Sequence, residues 1–165
     1  ELMKYAQTDA LTGLYNKETT KLRTDEILST DKDMIHAFLI LDMDCFKQIN
    51  DGYGHAVGDI VLQKFGQLLR DIFREDDIVG RIGGDEFVVV MKNIKMKEMA
   101  IAKAEELLTK TQQYEIKELN GSAISISIGI AMAPEDGDCY MDLYKRADQA
   151  LYQAKRSGKA RVCGY

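Results

Sequence analysis

Apolar positions run almost without interruption over residues 35 to 43, IHAFLILDM, and again over FVVVM from Phe87. Short runs of this kind suit strands buried on both faces, and the first ends in carboxylates. Between them the period changes. Val61, Phe65, Leu68, Leu69 and Ile72 recur at helical spacing from Val57, and the pattern stops before the charged stretch Arg74 to Asp77. Residues 77 to 82 and 86 to 91 predict two strands joined through Gly83-Gly84, a pair that accepts positive φ and signals a hairpin. Residues 17 to 29 predict a helix with Asn16 as its cap, and 95 to 113 a lysine- and glutamate-rich amphipathic helix. After a turn at Asn120-Gly121, the stretch SAISISIGIA over 122 to 131 alternates as a half-buried strand does, and Pro134 closes it. The last helix, 140 to 156, buries Leu143, Ala147, Ala150, Leu151 and Ala154 and ends at Gly158. The order is helix, strand, helix, hairpin, helix, strand, helix, which belongs to a mixed α and β domain.

The chain has 165 residues, enough for a single domain with one sizeable core. It is 45% hydrophobic and 30% charged, with 13 glycines and 1 proline, which excludes disordered and collagen-like classes. Its 22 basic and 27 acidic residues leave a net charge of −5, against a nucleic-acid partner, which would need a basic face. Cys45, Cys139 and Cys163 are odd in number and at no metal-ligand spacing, so the expected compartment is the reducing cytoplasm. No apolar run approaches the roughly 20 residues of a membrane span, and Glu1-Leu2-Met3-Lys4 has no signal-peptide layout. The first residue is Glu rather than Met, and the expectation is a piece of a longer parent, itself open to membrane anchoring.

Asp42 and Asp44 stand two apart at the end of the buried strand, so both carboxylates point to one side. Asp85 and Glu86 sit at the hairpin tip. If the hairpin lies beside the central strand, up to four carboxylates converge, and their repulsion calls for a cation. Mg²⁺ suits such hard oxygen donors, bound through one or two carboxylates plus substrate phosphates, as in phosphoryl or nucleotidyl transfer. The plainer reading is that turns attract acids anyway. Lys155 and Lys159, four apart, are spaced to aim two ammonium groups at one anion such as a triphosphate; complementing the helix C-terminal dipole explains them equally well. No P-loop and no G-x-G-x-x-G is present, so the backbone amides of Cys45, Phe46 and Lys47, after the first carboxylates, are the candidates for binding phosphate. His36 and His55 lack a partner at ligand spacing and are read as structural.

Arg81-Ile82-Gly83-Gly84-Asp85-Glu86-Phe87 contains the signature of the GGDEF family, the diguanylate cyclases that join two GTP molecules into cyclic di-GMP. Other segments resemble the same family in its order. These are DALTGLYN from Asp9, DMDCFKQIND from Asp42, GHAVGD from Gly54 and ADQALYQAK from Ala147. The resemblance covers nearly the whole chain. It implies an α/β domain of the α+β kind, with a central mixed sheet of about five strands flanked by helices in a palm-like, nucleotide-cyclase layout. Residues 9 to 165 would be the cyclase domain, and residues 1 to 8 the end of a signalling helix, seen in Leu2 to Ala6, from an N-terminal sensor or dimerisation region.

By the same resemblance, Asp42, the Met43 carbonyl and Asp85 would bind two Mg²⁺ ions, with Mn²⁺ as a substitute. Asp85 would take the ribose 3′-OH proton, with Glu86 a weaker candidate. Asn50 and Asp59 would read guanine, since a carboxylate accepts from N1–H and N2–H₂ where adenine offers no such pair. Without the family, Asp59 reads as an N-cap and Asn50 as a turn residue. Arg74 and Asp77 match the RxxD site at which the product inhibits; bare, they are an exposed ion pair. Lys17, Lys159 and Ala160 stand where the family more often has Arg, Arg and Asn, and Lys gives up bidentate phosphate geometry. The implied function is Mg²⁺-dependent condensation of two GTP into cyclic di-GMP by two domains meeting face to face. The alternatives are a catalytically silent GTP- or cyclic di-GMP-binding module and a palm-like domain for another nucleotide, the second disfavoured by Asp59.

Overall fold

The computed structural model describes residues 6–165. The expected helix end at Leu2 to Ala6 lies outside the described residues except for Ala6, which sits in a turn. The first helix, α1 (Lys17–Thr30), starts where expected: Asn16 has extended backbone, and its side chain accepts from the Thr19 amide at 2.9 Å. Then follow β1 (Ile35–Met43), α2 (Phe46–Tyr53), α3 (His55–Ile72), β2 (Ile78–Arg81) and β3 (Glu86–Ile94). The chain continues through α4 (Lys97–Gln113), a 3₁₀ turn (Lys117–Leu119), β4 (Ile126–Ala133), α5 (Tyr140–Arg156) and β5 (Val162–Gly164).

Three elements differ from the sequence reading. The helix expected from Val57 is preceded by a second one, α2, and Gly54 separates the two with φ 91°, a value other residues rarely adopt. The strand expected at 122 to 131 begins at Ile126, and all eight of its residues are buried rather than alternate ones. Its serine, Ser127, is buried because it donates to the carboxylate of Asp44, just past the end of β1, described below. The short β5 makes up the count of about five strands that the family resemblance implied, but the residue pattern did not locate it. At the hairpin, neither Gly83 nor Gly84 lies in the positive-φ region, although the hairpin itself forms as expected.

The five strands form one mixed sheet in the order β2-β3-β1-β4-β5. β1 is antiparallel to both β3 and β4, β2 is antiparallel to β3, and β5 runs parallel to β4. Alternate residues of β1 feed two cores. Ala37, Leu39, Leu41 and Met43 join Phe65 and Leu69 of α3 and Leu107 of α4 on one face. Phe38 and Ile40 join Leu28 of α1 and Tyr140, Leu143 and Ala147 of α5 on the other. Burial on both sides is why the strand reads as an unbroken apolar run. Phe65 meets Phe87 edge to face at 4.9 Å, fixing α3 on β3. His36 is buried and held between the Asp31 carbonyl and the Asn93 amide, in the structural role expected of it.

Candidate active site

The register places Asp42 opposite Glu86 on β3 and opposite Ser127 on β4. Beyond the ladder, the Met43 amide donates to the Asp85 carbonyl at 3.2 Å, which pins the hairpin tip to the end of β1. The carboxylates therefore do converge at one end of the sheet. Burial raises the proton affinity of Asp42, as does the neighbouring Asp85 carboxylate, and together they lift its pKa to about 6 although Lys155 opposes them. Oδ1 of Asp42 is buried and finds no hydrogen-bond donor among the described residues. A buried, unpaired carboxylate oxygen facing a second carboxylate is the donor chemistry of a hard divalent cation, so the residues present fit Mg²⁺.

Asp44 serves differently from Asp42. It is buried, and it accepts from Ser125 Oγ at 2.6 Å, Ser127 Oγ at 2.7 Å and the Ala160 amide at 3.1 Å. Those bonds occupy its oxygens and stitch β1 to β4 and to the segment after α5, which makes Asp44 a scaffold for the site. Both aspartates do face one side, since Lys155 of α5 places Nζ 3.1 Å from Asp42 Oδ2 and 3.9 Å from Asp44 Oδ1. Lys159 lies after the helix end with φ 62°, and its Nζ stands 3.5 Å from Cys45 Sγ, next to the Asp44 that Lys155 also approaches.

Cys45 takes left-handed backbone (φ 58°) and turns the chain from β1 into α2, so Phe46 and Lys47 stand in the first turn of that helix beside the carboxylates. Helix-start amides there present N–H groups to an anion. A cavity of about 370 Å³ opens alongside, lined in part by Asp44, Cys45, Gln48, Ser125 and Lys159. Asn50 is a helical residue of α2 and not part of a turn. Nor is Asp59 an N-cap: Gly54 holds that position for α3, and Asp59 is exposed in the second turn. A methyl group at Gly58 would overlap Asn50 Oδ1, so the bare backbone there lets Asn50 lie against α3 one residue from Asp59.

Glu86 is held by a residue the sequence reading did not single out. Tyr144 of α5 donates from its hydroxyl to Glu86 Oε1 at 2.6 Å, and burial together with that bond pushes the phenol's pKa up. No local signal marks this pairing, because it depends on where α5 crosses the sheet. At the other end of β2, the Arg74 amide and guanidinium both donate to the Asp77 carboxylate, Nη2 to Oδ1 at 3.0 Å, and Nη2 also donates to the Lys92 carbonyl at 2.5 Å. The Asp77 side chain is 2% exposed and that of Arg74 53%, so the pair is half-buried rather than an exposed ion pair. A second cavity of about 370 Å³ borders it, lined also by Tyr15, Arg70 and Phe73.

The fold is a mixed five-stranded α+β sheet with acidic residues at one end beside a helix start, and comparison with known proteins gives its family. A family model described as "Diguanylate cyclase, GGDEF domain" matches residues 6–161, and the chain belongs to that GGDEF family. It is 36% identical over 162 residues to the diguanylate cyclase DgcS of Shewanella oneidensis, covering 96% of this chain and 53% of that protein. The GGDEF domain of PA1120 (TpbB or YfiN) of Pseudomonas aeruginosa superposes with a TM-score of 0.88 at 35% identity, over 95% of this chain and 93% of that one. The GGDEF domain of DgcB from Caulobacter crescentus, solved in complex with c-di-GMP, gives 0.88 at 27% identity, over 96% and 93%. The chain spans from 21% to 53% of the length of the curated relatives it matches. Among the described residues, no helix is long and apolar enough to cross a membrane.

Proposed function

We propose that this domain is a diguanylate cyclase, condensing two GTP into cyclic di-GMP and two pyrophosphates. The observation that carries the reading is the unpaired, buried Asp42 Oδ1 beside Asp85, at the sheet end where α2 begins. Asp42, the Met43 carbonyl and Asp85 would hold two Mg²⁺ ions, or Mn²⁺ in their place. When bound, these supply neutralisation of the triphosphate and polarisation of the α-phosphate. Asn50 and Asp59 orient guanine by accepting from its N–H groups. The amides of Phe46 and Lys47 at the start of α2, with Cys45 ahead of them, hold the phosphates, and Lys159 and Lys155 add positive charge.

One domain binds one GTP, so two domains meet face to face with two-fold symmetry. The 3′ oxygen of each GTP attacks the α-phosphorus of the other. The bond to the β-phosphate oxygen breaks, pyrophosphate leaves in line, and the 3′ proton passes to Asp85. Glu86, already accepting from Tyr144, is the secondary proton acceptor. Cyclic di-GMP then inhibits at Arg74 and Asp77, away from the carboxylates. Residues 1 to 8 join residues 9 to 165 to an N-terminal region that brings the two domains together, consistent with relatives longer than this chain.

The test is incubation of the full-length protein with GTP and Mg²⁺, followed by chromatography, in parallel with Asp85→Ala. The expected outcome is cyclic di-GMP from the wild type and none from the variant, with an unchanged melting curve. Wild type that binds GTP or cyclic di-GMP but forms no product is a silent regulatory module instead.

A further inference from the structure

Arg81 ends β2 and keeps its side chain largely covered, 16% exposed. Its Nε and Nη2 donate to the Gly84 carbonyl at 3.1 and 2.8 Å, while Nη1 lies 3.2 Å from both carboxylate oxygens of Asp9. One planar cation thus joins the segment leading into the domain to the turn that carries Asp85. A guanidinium does this because its donors point in fixed, diverging directions.

Asp9 is anchored from its other side as well. Its Oδ2 accepts from the Thr12 amide at 2.8 Å and the Thr12 hydroxyl at 2.7 Å, and its own amide donates to the Leu14 carbonyl at 2.7 Å. The same segment is joined to β2 through its backbone, with Tyr15 N donating to Val79 O at 3.2 Å and Arg81 N to Tyr15 O at 2.9 Å. Residues 9 to 15 and Arg81 are therefore joined through both backbone and side chains.

Beyond the Met43 amide, which donates to the Asp85 carbonyl at 3.2 Å on the far side of Asp85, the turn has little else to hold it. Ile82 N and Gly83 N both donate to the Glu86 carbonyl, at 2.9 and 3.3 Å, which closes the turn on its inner side. Gly83 and Gly84 are exposed, and a Cβ added at Gly84 would meet nothing within 4 Å. The peptide plane that starts with the Gly84 carbonyl ends with the Asp85 nitrogen, so whatever grips that carbonyl sets the direction from which Asp85 projects. We propose that Arg81 is a positioning residue for the active-site turn: held against Asp9, it grips the Gly84 carbonyl and ties the placement of Asp85 to the segment through which the chain enters the domain. The part of this that concerns Asp85 in catalysis rests on the cyclase reading; the mechanical link does not.

The link is tested in the full-length protein with Asp9→Asn and Arg81→Lys, neither of which touches Asp42, Asn50 or Asp59. Amide hydrogen exchange of residues 82–85 should speed up by about tenfold in both variants, while the amides of β1 and β4 keep their protection. In turnover, kcat should fall by about tenfold with the KM for GTP within about twofold, because the guanine and phosphate contacts are untouched. A staple without positioning function would lower the melting temperature alone. If Asp9→Asn folds and both its turn exchange and its kcat match the wild type, the proposal is overturned, whether or not Arg81→Lys folds. If the wild type forms no cyclic di-GMP, the cyclase reading fails, and the exchange of the turn amides decides the link by itself.

Discussion

The Nζ of Lys155 lies 3.1 Å from Oδ2 of Asp42, so a cation of the chain itself stands among the carboxylates proposed to hold Mg²⁺. It offsets only part of their repulsion. Asp42 retains a pKa of about 6, through burial first and the charge of Asp85 second. A carboxyl that binds its proton more tightly in the folded than in the unfolded chain favours folding in its protonated form. The contribution of Asp42 to stability is therefore largest below the ordinary carboxylate range and is lost as pH rises through about 6.

Without divalent cation, the melting temperature of Asp42→Asn relative to wild type should therefore climb from about pH 4 to about pH 6 and then level off. Millimolar Mg²⁺ should stabilise the wild type more at about pH 7.5 than at about pH 5 and leave Asp42→Asn nearly unmoved. Calorimetry across that pH series is the check; equal cation effects on both proteins would remove Asp42 from the metal site.

Asp59→Ser should relax the preference for GTP over ATP by an amount on the order of 1 to 3 kcal/mol, the worth of a charged hydrogen-bonding partner. The comparison is kcat/KM for the two nucleotides. Gly58→Ala should act on the same preference indirectly, since its methyl group meets Asn50 Oδ1 and displaces that side chain. An unchanged nucleotide ratio in Asp59→Ser would leave Asp59 as an exposed helix residue without a reading role.

Gly129 lies in β4 beneath α5, where a Cβ would stand 2.9 Å from the Leu151 Cα and closer still to the Ala147 carbonyl and Leu151 amide. Backbone cannot rotate aside as a side chain does. Gly129→Ala should therefore cost more than the ~1–3 kcal/mol of ordinary overpacking and lift Lys155 away from Asp42. Gly52→Ala is the contrast: it sits within α2 with nothing within 4 Å of the added carbon, and should stabilise by up to about 1 kcal/mol. Denaturant unfolding of both variants distinguishes close approach from backbone freedom.

Arg74 and Asp77 hold one another, so the product binding proposed there would have to exchange that pair for contacts to the ligand. In a protein that dimerises, Arg74→Ala should keep a similar initial rate but lose the early plateau as cyclic di-GMP accumulates. Titrated product that inhibits wild type and variant at the same midpoint would leave the pair with the task of closing the loop before β2.

Much of the fold was legible because burial leaves a local trace. The run from Ile35 to Met43 reports a strand covered on both faces, Asn16 reports a helix start, and the apolar stripe of α5 reports the face it lays on the sheet. The acids at 42 and 85 and their glycine-rich turn were legible for the same reason, as a break between apolar strands. α2 was not, since none of its eight residues is fully buried, and three-residue β5 exists only through its parallel pairing with β4. Ser125 and Ser127 looked like the solvent side of a strand until Asp44, more than eighty positions earlier, proved to be their acceptor. Which of two neighbouring aspartates keeps an unpaired oxygen, where Lys155 and Tyr144 reach, and how Arg81 connects Asp9 to Gly84 are all decided by packing. Periodicity records only which face of an element is covered, whereas the distance between residues far apart in the chain is fixed by how the elements cross.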